Sequence, residues 1–234
     1  MHFTAIHLPE EQDASDYRSE NLHYIVKEIQ KRINELQSAF ANFDVSTAKF
    51  LNFYYSKDKN YSYFKQWGPE HQPQIISSAS SSSFGVIPNY APLAMDNQSV
   101  YFYGDRIDFK PKDLRSINRD YIVNDSKAIY LGPAGNGRFY LKIISPINIS
   151  KIQNVKNDFH EYIKDDITVF HKGNVLEGAD AATFKCLSPS HCKDKNHVYY
   201  GGKIIKDADP ATFEVIDTFK GYDKNHVYLE DRVI

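Results

Sequence analysis

The residues best suited to chemistry in this chain belong to a short polar phrase that occurs more than once. Asp and Asn two positions apart could supply oxygen ligands to Ca²⁺, but no twelve-residue loop with a terminal bidentate Glu follows them. The same residues are typical of an Asx-turn, in which the Asp side chain accepts backbone N–H groups. The sequence therefore favours a turn over a calcium site. The copies are Asp194-Lys195-Asn196, Asp223-Lys224-Asn225 and Asp58-Lys59-Asn60.

Two of the histidines occupy equivalent places in this phrase. His197 and His226 each follow the Asn and precede a Val. Zinc would need two further ligands at suitable geometry, and the spacing provides none. We interpret both as semi-exposed strand residues and predict no metal and no other cofactor.

Catalytic motifs are not evident elsewhere. The Ser-rich stretch 77–83 has no nucleophile elbow, and we expect it to be a mobile loop. The Gly132–Gly137 loop lacks the Lys-Ser/Thr of a P-loop. Asp165 and Asp166 are adjacent, so a strand would point them to opposite faces. Because no base, nucleophile and oxyanion site come together, we predict that the protein is not an enzyme.

These residues are positioned by a tandem repeat with a period of 29. A second recurring phrase, Ala179-Asp180-Ala181-Ala182-Thr183-Phe184, has a close copy over residues 208–213. The repeat is interrupted once, by a longer segment that contains residues 132–160. The anchor residues that this period selects are Asp96, Asp125, Asp165, Asp194 and Asp223.

Each repeat is predicted to form a β-hairpin followed by a short helical turn. In the best copy, strand residues 198–200 precede Gly201-Gly202, which tolerates positive φ, and residues 203–205 return. Asp209 and Pro210 suit the N-cap and the first position of the helical turn. A lone hairpin is unstable in water, so several must pack side by side.

An amphipathic helix is predicted over residues 13–42, with its apolar stripe running from Leu22 to Phe40. We interpret the stripe as core packing, with docking of a partner helix as the alternative. The apolar and aromatic run over residues 48–55 predicts one strand. The predicted fold is mainly β with an N-terminal α-helix, and its tandem array of β-hairpin repeats has short helical turns between hairpins. The sequence does not distinguish an open solenoid from a closed array.

The chain divides into three predicted segments: a helical segment 1–45, a first repeat-like region with a Ser/Pro-rich loop 46–95, and the repeats 96–234. A net charge of −2 and a pI of about 6.5 argue against nucleic-acid binding. No apolar run suggests a membrane span or a signal peptide, so we predict a cytoplasmic location. Cys186 and Cys192 are predicted to be reduced thiols.

The repeated phrases resemble those of the bacterial DKNYY family. The resemblance is carried by residues 58–61, 194–200 and 223–228, together with the A-D-x-x-T-F element. It covers roughly residues 96–234, with a detached copy near residue 58. What it implies is a repeat fold; it brings no catalytic residues.

A repeat array offers an extended surface to partners, and exposed aromatic residues are good interface anchors. We therefore predict a non-catalytic protein-binding role, specifically an immunity protein that neutralises a cognate bacterial toxin by direct binding. The alternative is a carbohydrate or cell-surface binding module, with Tyr199, Tyr200 and Tyr228 as the stacking platform. The predicted partner-binding residues are Tyr103, Tyr199, Tyr200, Tyr228, Asp165 and Asp166.

Overall fold

A computed structural model describes residues 17–66, 68, 70–156 and 161–234 of the chain. Over these residues, helix α1 (Tyr17–Ala39) is followed by 24 strands in six four-stranded antiparallel sheets. The four strands of each sheet are consecutive in the chain, so each sheet is a meander, which we call units 1 to 6. The predicted mainly β array of repeats behind an N-terminal helix is confirmed.

The strands are two or three residues long except in unit 3, whose last two strands form a long hairpin. Units 1 to 3 contain β1 (Lys49–Phe50), β2 (Tyr55–Lys57), β3 (Ser62–Phe64), β4 (Gln74–Ile75), β5 (Gly85–Val86), β6 (Leu93–Met95), β7 (Val100–Phe102), β8 (Asp105–Ile107), β9 (Arg115–Ser116), β10 (Tyr121–Val123), β11 (Ala128–Gly135) and β12 (Arg138–Ile144). Units 4 to 6 contain β13 (Gln153–Asn154), β14 (Tyr162–Lys164), β15 (Val169–His171), β16 (Asn174–Val175), β17 (Lys185–Cys186), β18 (His191–Lys193), β19 (Val198–Tyr200), β20 (Lys203–Ile204), β21 (Glu214–Val215), β22 (Lys220–Tyr222), β23 (Val227–Leu229) and β24 (Arg232–Val233).

The predicted hairpin is the second half of each unit. In unit 5, β19 and β20 are joined by Gly201 and Gly202, whose φ values of 52° and 80° explain the glycines. The first half, β17 and β18, was not predicted. The aspartate phrase lies in the turn between the second and third strands, at the centre of the meander.

Two predicted boundaries are wrong. Residues 48–55 contain β1 and the first residue of β2, because the Asn52 Oδ1 atom accepts the N–H groups of Tyr54 and Tyr55, both at 2.9 Å, and turns the chain after β1. The anchor of unit 3 is Asn124 rather than Asp125. The Asn124 Oδ1 atom accepts the N–H groups at positions 126 and 127, as the anchor aspartates do in the other units.

The hydrophobic core lies between consecutive units. Each of the five apolar clusters joins one unit to the next; for example, Val198 and Ile205 of unit 5 pack with Phe213 and Tyr228 of unit 6. At the C-terminal end, Val227 is exposed although its counterpart Val198 is buried. Unit 6 is therefore not packed against unit 1, and the six described units form an open array.

Helix α1 covers the N-terminal end of the array. The rings of Phe40 and Phe43, just after the helix, contact Tyr63 of unit 1 at centroid distances of 5.4 and 5.5 Å. Leu36 is buried, whereas Leu22 and Val26 are exposed. The core-packing interpretation of the stripe therefore holds only near the C-terminal end of α1. The predicted start of the helix, residues 13–16, lies outside the described residues.

The Ser-rich stretch is the helical turn of unit 2 and not the predicted mobile loop. Ser81 is buried and its hydroxyl donates to the carbonyl oxygen of Asp58, while the Ser80 N–H donates to the Asp96 Oδ2 atom at 2.9 Å. These bonds tie the turn to units 1 and 2.

The prediction of reduced thiols is also wrong. Cys186 and Cys192 form a disulfide, because the antiparallel register of β17 and β18 places them directly opposite each other. In the part of the chain that the structure describes, no helix combines the length and apolarity needed to cross a bilayer.

Candidate functional site

The repeated aspartate lies at the centre of a hydrogen-bonded clamp in every unit except unit 3, where Asn124 takes its place. In unit 5, the Asp194 Oδ1 atom accepts the N–H groups of Asn196 and His197, both at 2.7 Å. The Oδ2 atom accepts the Tyr199 hydroxyl and the Asp180 N–H, both at 2.8 Å. The Asx-turn interpretation is thus confirmed, and both carboxylate oxygens are engaged.

The second recurring phrase provides the other half of the same clamp. The Thr183 hydroxyl donates to the Asp180 Oδ1 atom at 2.7 Å and accepts the Lys195 N–H at 3.0 Å. The Lys195 Nζ atom lies 2.8 Å from the Asp180 Oδ2 atom. The two phrases of unit 5 therefore form one clamp together.

The clamp recurs in units 1 and 6, although in unit 1 the Thr47 hydroxyl donates to the carbonyl oxygen of Asp44 and not to its carboxylate. The upstream half of the unit 1 clamp begins at Asp44 and was not predicted from the sequence. The constant spacing of 14 residues between the two aspartates of a clamp could have revealed it. The clamp residues are Asp44, Thr47, Asp58, Lys59 and Tyr63 in unit 1, and Asp209, Thr212, Asp223, Lys224 and Tyr228 in unit 6.

Unit 3 reverses the polarity of the clamp. The Asn124 Nδ2 atom donates to the carbonyl oxygen of Lys110 at 3.1 Å, whereas the aspartates accept a backbone N–H at the corresponding place. An amide can therefore replace the carboxylate where its partner is an acceptor.

The two clamp carboxylates of unit 5 have pKa values below the ordinary range. Burial acts to raise the pKa of Asp194, but hydrogen bonds from the N–H groups of Asp180, Asn196 and His197 and from the Tyr199 hydroxyl outweigh it and lower the pKa. The hydrogen bond from Lys195 lowers the pKa of Asp180 to about 2. Burial and the bond to Asp223 raise the pKa of Tyr228 to about 12. Such groups are poorly matched to proton transfer at neutral pH.

The predicted partner-binding residues fall into two sets. Asp165, Tyr199 and Tyr228 are buried, so their side chains have no surface to offer a partner. Tyr103 and Tyr200 are half-buried in the inter-unit clusters, and Asp166 is exposed. The structure does not gather these six residues into one site.

Buried tyrosines also tie unit 1 to unit 2 and unit 3 to unit 4. The Tyr55 hydroxyl donates to the carbonyl oxygen of Pro92 at 2.9 Å and accepts the Gly104 N–H at 3.1 Å. Tyr121 makes the same pair of bonds to Glu161 and Gly173 at 2.9 and 3.0 Å. The repeated polar residues therefore serve the architecture.

An apolar surface is exposed at the C-terminal end of the array. We call it the end face and define it by Tyr222, Val227, Leu229 and Ile234, which are 38 to 66 % exposed. Tyr222 lies directly opposite Val227 across the sheet, and the Ile234 N–H donates to the Val227 carbonyl oxygen at 2.9 Å.

A second apolar surface lies on the N-terminal half of α1. Leu22 and Val26, one helical turn apart, are 51 and 52 % exposed, and Ile25 and Ile29 beside them are half-buried. We call these four residues the α1 stripe.

A cavity of about 110 Å³ separates α1 from unit 1. It holds an ion pair of Lys65 and Glu35, whose Nζ and Oε2 atoms are 2.6 Å apart, and it is smaller than typical ligand pockets of about 300–1,000 Å³. Among the described residues, no group of three or more His, Cys, Asp or Glu side chains is arranged to hold a metal ion.

Comparison with known proteins places the repeats in one family. The family model described as the DKNYY family matches residues 95–232, which is more than half of the chain. No curated protein and no solved structure matches the chain.

Proposed function

The chain belongs to the DKNYY family, and we propose that it is a non-catalytic protein-binding scaffold. In its most specific form, the proposal is an immunity protein that neutralises a cognate bacterial toxin by direct binding.

The observation that carries this proposal is the α1 stripe. An apolar helical stripe is expected to face a core, yet Leu22 and Val26 are each about half exposed. Exposed apolar patches on soluble proteins commonly mark sites of protein association. The same helix is fixed to unit 1 at its other end, where the Arg32 Nη2 atom donates to the Phe53 carbonyl oxygen at 2.8 Å. The stripe is thus presented on a rigid support, which favours binding.

The hydrogen bonds and ion pairs of the polar clamp residues support a non-catalytic role. The aspartates, lysines and threonines of the clamps are engaged with one another, as in the four-residue network of Asp180, Thr183, Asp194 and Lys195. A catalytic site needs a positioned base and nucleophile that are open to substrate. The carbohydrate alternative loses its platform, because Tyr199 and Tyr228 are buried.

Isothermal titration of the chain against the product of a neighbouring toxin gene tests the proposal. We expect tight binding by the unmodified chain, and a dissociation constant at least about tenfold larger for Leu22→Glu and for Val26→Glu. Ile167→Glu is the matched control, since Ile167 is an exposed apolar residue in a turn of unit 4. No heat of binding with the unmodified chain would contradict the proposed function, and unchanged binding by both α1 variants would contradict the assigned surface.

A further inference from the structure

We propose that the junction between units 5 and 6 is a pH-sensitive switch, closed near neutral pH and opened in mildly acidic solution as His191 takes up a proton. The inference does not rest on the proposed function, since it concerns the contact between two repeats and not the α1 stripe. It is carried by a histidine at a place where other units have a tyrosine.

His191 is the first residue of β18, a position that holds a tyrosine in units 1, 3 and 4. Tyr55 and Tyr121 use this position to join their unit to the next, because each hydroxyl donates to a carbonyl oxygen and accepts a glycine N–H there. The junction of units 5 and 6 therefore contains a ring that can become charged in place of a hydroxyl that bonds across the junction.

The imidazole of His191 is enclosed by the junction. The side chain is 0 % exposed, and the ring centroid lies 5.1 Å from that of Tyr200 and 5.7 Å from that of Phe213 in unit 6. Phe213 is itself buried, in the cluster that joins the two units. The ring can therefore reach water only if unit 6 moves away from unit 5.

Only one side of the imidazole has a polar partner. The Ser188 Oγ atom accepts the His191 N–H at 3.0 Å and lies 3.1 Å from the Nδ1 atom. The Nε2 atom on the other side is buried and has no hydrogen-bond partner among the described residues. A neutral ring leaves one polar atom unpaired, whereas a protonated ring would bury an unpaired N–H of a cation, which costs more.

The nearest carboxylate of unit 6 does not supply the missing partner. Asp217 lies in the turn between β21 and β22, and its charge acts on His191. Its Oδ1 atom already accepts the N–H groups of Phe219 and Lys220, both at 2.8 Å. Asp217 therefore attracts a charged imidazole without binding it.

The other charged groups of the junction do not pair with the ring either. Lys193 is on the same face of β18 as His191, and its Nζ atom donates to the Pro210 carbonyl oxygen at 2.8 Å, so it adds a like charge. On the β19 side the ring meets Tyr200, whose hydroxyl is influenced by Glu230 and Asp231. The closed junction thus favours the neutral form of His191.

Burial accordingly lowers the pKa of His191, although Asp217 acts to raise it. When the junction opens, the ring enters water and its pKa returns to about 6.5. The open form then binds a proton that the closed form does not bind. The free energy that holds the junction closed is therefore fully present above about pH 6.5 and decreases as the pH falls below that value.

Hydrogen exchange of the full chain tests the proposal, when it is read by mass spectrometry in peptides from each unit and corrected for the intrinsic effect of pH on exchange. We expect the opening equilibrium of units 5 and 6 to rise about tenfold from about pH 7.5 to about pH 5.5, since only the open form is protonated there. Units 1 and 2 should show no such change, because Tyr55 joins them.

Two variants and one control assign the change to His191. His191→Phe keeps a ring that cannot be protonated, and His191→Tyr restores the residue of units 1, 3 and 4, so both should abolish the tenfold change. Thermal unfolding confirms that each variant is folded. His23→Gln removes an exposed histidine of α1 and should leave the change intact.

The proposal is overturned if units 5 and 6 of the unmodified chain open equally at the two pH values, which needs no variant to interpret. It is also overturned if all six units open together, if both His191 variants retain the tenfold change, or if His23→Gln abolishes it.

Discussion

The hydroxyl of Tyr199 donates to the Oδ2 atom of Asp194 at 2.8 Å, across five residues of the same turn and strand. Both side chains are buried. The bond fixes the turn to the strand that follows it, and the same pair recurs as Tyr228 with Asp223 at 2.9 Å.

Removing this hydroxyl should destabilise the fold without changing its shape. We expect Tyr199→Phe to lower the free energy of unfolding by about 1–2 kcal/mol, because a buried carboxylate oxygen loses a donor. Urea unfolding measures the change. Tyr61→Phe, at an exposed tyrosine in the corresponding turn of unit 1, should change stability by less than about 0.5 kcal/mol. Equal effects of the two substitutions would contradict the clamp.

The clamp aspartates should make the fold sensitive to acid. The native pKa values of Asp96, Asp194 and Asp223 lie below the ordinary value. A carboxyl group with a lowered native pKa stabilises the fold above its unfolded pKa of about 3.9, and this contribution is lost as the pH falls through the native pKa. We expect the free energy of unfolding to decrease steadily from about pH 5 to pH 2.

Asp194→Asn isolates the contribution of one carboxylate to this pH dependence. The variant should lose about 2 kcal/mol near neutral pH, since an amide nitrogen cannot accept the Tyr199 hydroxyl or the Asp180 N–H. Its deficit should shrink as the pH falls, because protonation removes the same advantage from the unmodified chain. A deficit that stays constant with pH would show that ionisation of Asp194 plays no part.

Adjacent isoleucines in unit 5 give a matched test of the inter-unit core. Ile205 is buried against unit 6, whereas Ile204 is exposed. We expect Ile205→Ala to cost about 3 kcal/mol and Ile204→Ala about 0.5 kcal/mol or less. Chemical denaturation of the two variants measures both values. Similar losses would mean that the core does not lie between the units.

The disulfide should stabilise unit 5. The bond between Cys186 and Cys192 closes a short loop, with a sequence separation of 6, so its removal should cost about 2 kcal/mol. Thermal unfolding of the unmodified chain with and without reductant measures the loss, and Cys186→Ser should match the reduced protein. Two reactive thiols in the denatured, unreduced chain would show that the bond does not form.

The turns of this fold could be predicted because their chemistry is local. Gly201 and Gly202 supply the positive φ values that a tight hairpin needs, and Asp209 caps the helical turn that follows. Beyond unit 1, the first two strands of the units were missed for the opposite reason. A strand of two residues, such as Lys185–Cys186, has no periodicity to detect, and its conformation is decided by pairing with β18.

The candidate site was harder to predict than the fold. Alternation along β19 correctly assigns Tyr199 and Tyr200 to opposite faces, but it cannot say that neighbouring units cover both faces. For the same reason the exposure of Leu22 and Val26 was unexpected, since the pattern identifies an apolar stripe without identifying what lies against it. Asp125 was wrongly predicted as the anchor of unit 3 because it fits the period of 29 residues. The residue before it, Asn124, makes the turn contacts instead.

Each unit is closed by its own clamp, and this affects how the number of repeats could change during evolution. Every clamp bond stays inside one unit, and every core cluster joins only nearest neighbours. A deletion or duplication of 29 codons, the distance from Asp194 to Asp223, would remove or add one complete clamp and one complete interface. The copy number of the repeat can therefore drift by recombination while each remaining unit keeps the contacts that fold it.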